Sequence, residues 1–160
     1  DGVVHHELVA GWARLGDCDR AEAAYAAMRQ RGVRGDRLTH NVLLQALVRA
    51  GRLGRARALV AAMENSGGPL APDVVTQSTL LAGLCAAGAM DEAAAAFEAM
   101  LDRGKGVLPT EVTYVALVAG FARQGRMDRA EKVFEALLEE VRIQEQEALD
   151  SVGDGAAAGP

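Results

Sequence analysis

The large apolar residues of this chain return at spacings of three and four, the period of a helix that turns one face to a core. Short breaks separate the periodic stretches, and four of these breaks hold a glycine in a similar frame. They read ARLGDCDRAEA at Gly16, VRAGRLGRARA at Gly51, CAAGAMDEAAA at Gly88 and ARQGRMDRAEK at Gly125, with separations of 35, 37 and 37 residues. Eight residues before each glycine stands Leu8, Leu43, Leu80 or Leu117, and five after it Ala21, Ala56, Ala93 or Ala130. Nine after it come Tyr25, Val60, Phe97 and Phe134, and twelve after it Met28, Met63, Met100 and Leu137. Glycine supplies the left-handed backbone that ends a helix. Asp19, Asp91 and Asp128, three residues beyond their glycines, predict caps for the next helix, with Gly54 at that place in the second frame. Gly32, Gly67 and Gly104 then close the second helix. The predicted unit is helix, tight turn, helix.

A hairpin of about 30 residues cannot bury such a stripe by itself, so neighbouring units must stack. The expectation is an all-α fold, an α-solenoid superhelix of helix–turn–helix repeats spanning 2–36, 37–73, 74–110 and 111–145, the last with an extended helix. The Met and aromatic stripe reads as core. ENSGGPLAPD and LDRGKGVLPTE mark longer connections between repeats. Residues 146–160 form an acidic to Gly/Ala-rich tail, and composition predicts disorder beyond about Ser151.

Composition agrees with helices: half of the 160 residues are hydrophobic, only 4% are aromatic, and alanine dominates the apolar set. Charge changes the picture more. The net charge is −5, yet residues 138–160 alone carry six acids against Arg142, so the repeat body is neutral, with 16 acids and 16 bases. A neutral body gives no long-range attraction to a polyanion, and any such binding must rest on locally placed bases.

The stretches LTHNVLLQALVRAGRL, VTQSTLLAGLCAAGAMDEAAAAFEAM and VTYVALVAGFARQGRMDRAEKVFEAL resemble the pentatricopeptide repeat, and VVHHELVAGWARLGDCDRAEAAYAAMRQRGV resembles a more degenerate copy. The resemblance covers roughly residues 2–141. The tetratricopeptide pattern fits less well, because Trp12 lies near the end of its helix rather than at the family's tryptophan position. The resemblance implies a module that binds single-stranded RNA along its first helices, one nucleotide per repeat. It implies base-reading by the residue ten before the turn glycine together with the last residue of the repeat: His6 with Asp36, Asn41 with Asp73, and Ser78 with Thr110. Val115 takes the first of these places in the fourth repeat and cannot hydrogen-bond a base; its closing partner falls near Glu145. Asn with Asp is the pair the family uses for uridine. The resemblance further implies base-sandwiching by Val3, Leu38, Val75 and Val112, and phosphate contacts from Arg14, Arg49 and Arg123, with Ala86 interrupting that series. A chloroplast or mitochondrial location is also implied by the resemblance, although no transit peptide is visible.

Other chemistry finds little support. Cys18 and Cys85 stand 67 residues apart without a CxxC, which predicts buried free thiols. His5 and His6 are adjacent and point about 100° apart on a helix, which disfavours a metal site. No nucleophile motif, phosphate loop or deaminase zinc signature occurs, so no catalysis, cofactor or small-molecule substrate is expected. No apolar run approaches the ~18 residues that span a membrane. Two other classes stay open: a structural subunit of a large ribonucleoprotein, such as an organellar ribosome, and a protein-binding scaffold.

Overall fold

A computed structural model of the chain describes residues 1–102 and 107–156. It contains eight α-helices among the described residues and no strand: α1 (Gly2–Arg14), α2 (Cys18–Gln30), α3 (Arg37–Arg49), α4 (Leu53–Ser66), α5 (Val74–Ala86), α6 (Met90–Leu101), α7 (Glu111–Arg123) and α8 (Met127–Ala156). One turn of 3₁₀-helix, Gly68–Leu70, follows α4. The architecture is the expected all-α solenoid. The four hairpins α1–α2, α3–α4, α5–α6 and α7–α8 stack in chain order.

Each hairpin turn is made the same way. Gly16, Gly51, Gly88 and Gly125 have φ of 77°, 71°, 76° and 70°. At each, the glycine N–H donates to the carbonyl three residues back. The next N–H reaches five back, from Asp17 to Trp12, Arg52 to Leu47, Ala89 to Leu84 and Arg126 to Phe121, at 2.9–3.0 Å. This pair of bonds satisfies carbonyls that the helix end leaves open. It also corrects the expected caps. The turn is so short that the residue directly after the glycine is the cap of the next helix, as with Asp17, which accepts from the Arg20 N–H. Asp19, Asp91 and Asp128 lie instead within the first helical turn, where a carboxylate faces the positive end of the helix dipole. Gly32 and Gly67 do follow α2 and α4, both with positive φ; Gly104 lies outside the described residues.

Stacking buries the stripe. Leu44, Leu81, Leu117 and Phe121 are 0–1% exposed, as are Met28 and Met63 from the second helices. The first helices α1, α3, α5 and α7 pack directly on one another, and each second helix packs on the first helix of the next repeat. The second helices lie farther apart. Between α4 and α6 they leave a groove of about 540 Å³ lined by Val60, Ala61, Leu80, Ala96 and Met100. First helices close together and second helices splayed give a stack that curves with the first helices on its inner side. Cys18 and Cys85 are buried free thiols, and burial pushes Cys85 up to about 11, so neither is poised as a nucleophile.

Two features depart from the expectation. Leu8 and Phe134, members of the predicted core stripe, are about half exposed, because no other hairpin of the described residues packs against them. The tail does not lose structure at Ser151: α8 runs for 30 residues to Ala156, and residues 157–160 lie outside the described residues. Extending an existing helix fixes one residue per hydrogen bond gained, without a new nucleus. Arg142 with Glu139, and Gln146 with Asp150, add pairs along its surface. No described helix is both long and apolar enough to cross a membrane.

Replacing Gly51 by alanine places a Cβ in left-handed backbone and is expected to cost about 1–2 kcal/mol. Urea unfolding at unchanged slope measures it, and wild-type stability in that variant would contradict the role assigned to the turn.

Candidate nucleic-acid interface

On a helix of 3.6 residues per turn, positions i, i+3, i+7 and i+11 fall within an arc of about 80°. In α3 these are Leu38, Asn41, Gln45 and Arg49; Leu43, Leu44 and Leu47 lie opposite them and are buried. The same arc holds Val3, His6, Ala10 and Arg14 in α1, Val75, Ser78, Ala82 and Ala86 in α5, and Val112, Val115, Ala119 and Arg123 in α7. Stacking of the first helices therefore lines up four rows across the inner face of the array. The row of Val3, Leu38, Val75 and Val112 is 48–71% exposed in every repeat. Single exposed apolar side chains are ordinary, but a row of them at one offset forms a surface suited to apolar contact. Arg14, Arg49 and Arg123 are exposed on the same face. Arg14 approaches Glu7 at 3.6 Å, while Arg49 and Arg123 form no ion pair among the described residues. Elsewhere, Arg52 is engaged by Asp19 and Glu22, Arg55 by Glu22, Arg57 by Glu92 and Arg126 by Asp91.

The proposed reading pairs meet across repeat boundaries, and a threonine joins each of them. The last residue of a repeat is the N-cap of the next first helix: Asp36 caps α3, Asp73 caps α5 and Thr110 caps α7. Three residues into each helix stands Thr39, Thr76 or Thr113, all 0–2% exposed. In the first pair, the Thr39 hydroxyl lies 2.7 Å from both His6 Nδ1 and Asp36 Oδ1, while His6 and Asp36 stand 4.0 Å apart. In the second, Asn41 Nδ2 donates to Asp73 Oδ1 at 3.2 Å, and the Thr76 hydroxyl lies 2.6 Å from Asn41 Oδ1. In the third, Ser78 and Thr110 stand 3.5 and 3.2 Å from the Thr113 hydroxyl. Val115 has no such arrangement. It is 60% exposed at the open end of the stack, and Glu145 lies along α8 rather than at the cap of a following helix.

The threonines were not singled out by the sequence reading, although they recur twelve residues before three of the glycines and follow each cap residue by three. Arg37 was missed as well; its guanidinium approaches Asp73 at 3.8 Å. Both cap carboxylates titrate below the ordinary 3.8. For Asp36 the cause is first the Thr39 backbone N–H and then its hydroxyl. For Asp73, burial pushes upward, but the Thr76 backbone and hydroxyl, Asn41 and Arg37 together outweigh it. No group of three His, Cys, Asp or Glu side chains suited to a metal occurs among the described residues.

The sequence matches the model of the PPR repeat family over residues 72–123 and that of the PPR repeat over residues 38–68 and 112–140. No curated protein matches it. The fold is similar to the crystal structure of pentatricopeptide repeat protein PPR10 from maize, with TM-score 0.79 and 24% identity, over 88% of this chain and 20% of that one. PPR10 in complex with an 18-nt psaJ RNA element gives TM-score 0.73 at the same identity and coverage. The PPR domain of Arabidopsis thaliana protein-only RNase P 1 in complex with tRNA gives TM-score 0.66 and 20% identity, over 84% of this chain and 69% of that one. The chain thus spans about a fifth of the length of maize PPR10.

The depressed cap carboxyls set a pH dependence. Their contribution to stability is fully present above the unfolded value of 3.8 and is lost as pH falls through the lower folded value. Asp73→Ala is expected to lower stability at pH 7 by about 1 kcal/mol and to flatten the acid limb of the stability curve. An acid limb identical to wild type, in urea titrations from pH 7 to 2, would refute the assignment.

Proposed function

Because the chain belongs to the pentatricopeptide repeat family, we propose that it binds single-stranded RNA along the inner face of its first helices, without catalysing a reaction. The observation that carries this reading is the recurrence on one face of an exposed aliphatic side chain in all four repeats, a polar pair at three repeat boundaries and an arginine in three of the four repeats. Each row suits a different part of a nucleotide. Val3, Leu38, Val75 and Val112 offer apolar surface to base faces, whose stacking and sandwiching contribute roughly 1–3 kcal/mol per base. His6 with Asp36, Asn41 with Asp73, and Ser78 with Thr110 present polar atoms to base edges, with Val115 reading nothing. Arg14, Arg49 and Arg123 neutralise phosphates.

Asn41 with Asp73 is the pair that selects a base, uridine, by the family's usage. The other positions hold RNA with little selectivity. Binding alone then protects, exposes or remodels a transcript in processing, stabilisation, splicing or translation, and membership of the family supports a chloroplast or mitochondrial location. A structural role inside a ribonucleoprotein is favoured by a different observation. Phe134, Leu138, Val141, Leu149 and Val152 of α8 are 43–72% exposed, an apolar surface suited to a protein neighbour.

Fluorescence anisotropy with short oligoribonucleotides at graded salt tests the reading. Wild-type binding is expected to weaken with salt, and replacing Arg14, Arg49 and Arg123 by alanine is expected to lower the log–log slope by about 0.7 for each arginine. Asn41→Val is expected to abolish preference for uridine. Salt-independent binding, or none, would overturn the proposal, and binding of a protein partner through α8 instead would support the structural role.

A further inference from the structure

We propose that the open face of the last hairpin docks a helical hairpin of another protein, one with arginines one and four residues after its turn glycine. Asp17 keeps a second copy of this chain from taking that place. The inference stands apart from RNA binding by the inner face.

The molecule shows at its interior boundaries how such a face is covered. Val9, Leu44 and Leu81, seven residues before their turn glycines, are buried, and so are Val60 and Phe97, nine after theirs. The hairpin that follows supplies the cover: the Phe97 ring, for example, stands edge-on to Tyr114 of the next repeat at 5.2 Å. In the last hairpin the same places hold Val118, only partly buried, and Phe134, exposed. Nor does α8 turn back to close the face. It has 30 residues, against 13, 14 and 12 in α2, α4 and α6. Its extra turns carry the chain about 25 Å past the point where a following first helix would start. A covering hairpin is therefore supplied by another chain.

Charge selects which hairpin fits. Every interior boundary brings opposite charges together just beyond the turn glycines. Asp19 and Glu22 hold Arg52, and Glu22 also holds Arg55. Glu92 holds Arg57 across the next boundary. Asp91 holds Arg126 at 2.8 Å and lies in the field of Arg129. Arg52 and Arg126 stand one residue after their glycines, Arg55 and Arg129 four. The last hairpin repeats the acidic half of this arrangement. Asp128 and Glu131 occupy the places of Asp19 and Glu22 and form no ion pair among the described residues.

The basic half is incomplete in this chain's own first hairpin. Its residue after the glycine is Asp17, and Arg20 is engaged, 3.5 Å from Asp17 and 4.6 Å over the Trp12 ring. Leu8, exposed at the opposite end of the stack, offers the apolar surface that a head-to-tail contact needs. Such a contact between copies would set Asp17 against Asp128. Apolar cover supplies most of the attraction at a boundary, whereas close like charges reject the wrong partner. The rejection matters because a head-to-tail contact that does not close grows into a filament.

Sedimentation equilibrium of the full chain at low salt tests this by exchanging charges. Wild type is expected to be monomeric. Asp17→Arg and Asp128→Arg each make the contact attractive and are expected to raise head-to-tail association by about tenfold or more, with the gain lost at high salt. Together the two substitutions set arginine against arginine, and the chain is expected to be monomeric again. A chain with Asp17→Arg and Phe134→Glu presents its first hairpin but cannot receive one, so it probes the wild-type face directly. It is expected to bind wild type one to one and not to bind the Asp128→Arg chain. Circular dichroism establishes that each variant is folded. Asp128→Arg leaves the Asp17 cap intact and decides the matter if Asp17→Arg does not fold. The inference is overturned by a folded single variant that stays monomeric, by a double variant that associates like the single ones, or by wild type that assembles head to tail.

Discussion

A two-helix hairpin leaves one side of its apolar stripe open, and only a neighbouring hairpin can cover it. The ends of the array display this constraint directly. Leu43 is 3% exposed and Leu8 49%, and Phe97 is 5% exposed and Phe134 51%, although the members of each pair occupy the same place in their repeats. The difference is the presence of a neighbour. Covering a leucine or phenylalanine side chain contributes about 1.5–3 kcal/mol, so the interior boundaries, each burying several such residues, hold the hairpins in place. Small residues at these boundaries matter for the same reason. A Cβ added to Gly83 would come within 2.7 Å of Val48, so the close approach of α5 to α3 depends on the absence of a side chain there.

The candidate interface is a by-product of that stacking. A first helix turns one arc to its neighbours in the core and the opposite arc to the inner face of the array, and stacking brings these exposed arcs into register. It also brings the cap of one helix beside the middle of the preceding one. A capping carboxylate, which the helix end requires in any case, then lies within hydrogen-bonding distance of a residue 32 positions earlier. The buried threonine serves both neighbours: it completes the capping box of its own helix at Asp73 and contacts Asn41 of the previous repeat. The structural role and the proposed recognition role thus fall on the same atoms.

Neutrality of the repeat body, which in the sequence argues against a polyanion ligand, has a spatial resolution. Several bases at the starts of the second helices are engaged by carboxylates of adjacent repeats, as the cap residue Arg52 is by Asp19 and Glu22 and Arg55 by Glu22. Arg49 and Arg123, on the inner face, are not. Surface ion pairs of this kind contribute little to stability, and Arg49 and Arg123 remain as exposed charges on the inner face.

The repeat, its helices and its turns were legible in the sequence, because each is a local periodicity within one hairpin, whereas the rows along the first helices were implied by the family resemblance. The glycines carried most of this, since a left-handed turn at a fixed interval has few other occupants. Less was legible wherever two repeats meet. The sequence reading set the caps at Asp19, Asp91 and Asp128, where the tightness of the turn moved them forward. It took Leu8 and Phe134 for core, and it ended the last helix too soon. It paired Asn41 with Asp73 by resemblance but did not identify Thr76 between them. Those facts depend on how far one hairpin rotates and slides against the next, and that is decided by side-chain packing between residues more than thirty positions apart. The sequence determined what each repeat is; the stacking decided which of its atoms touch.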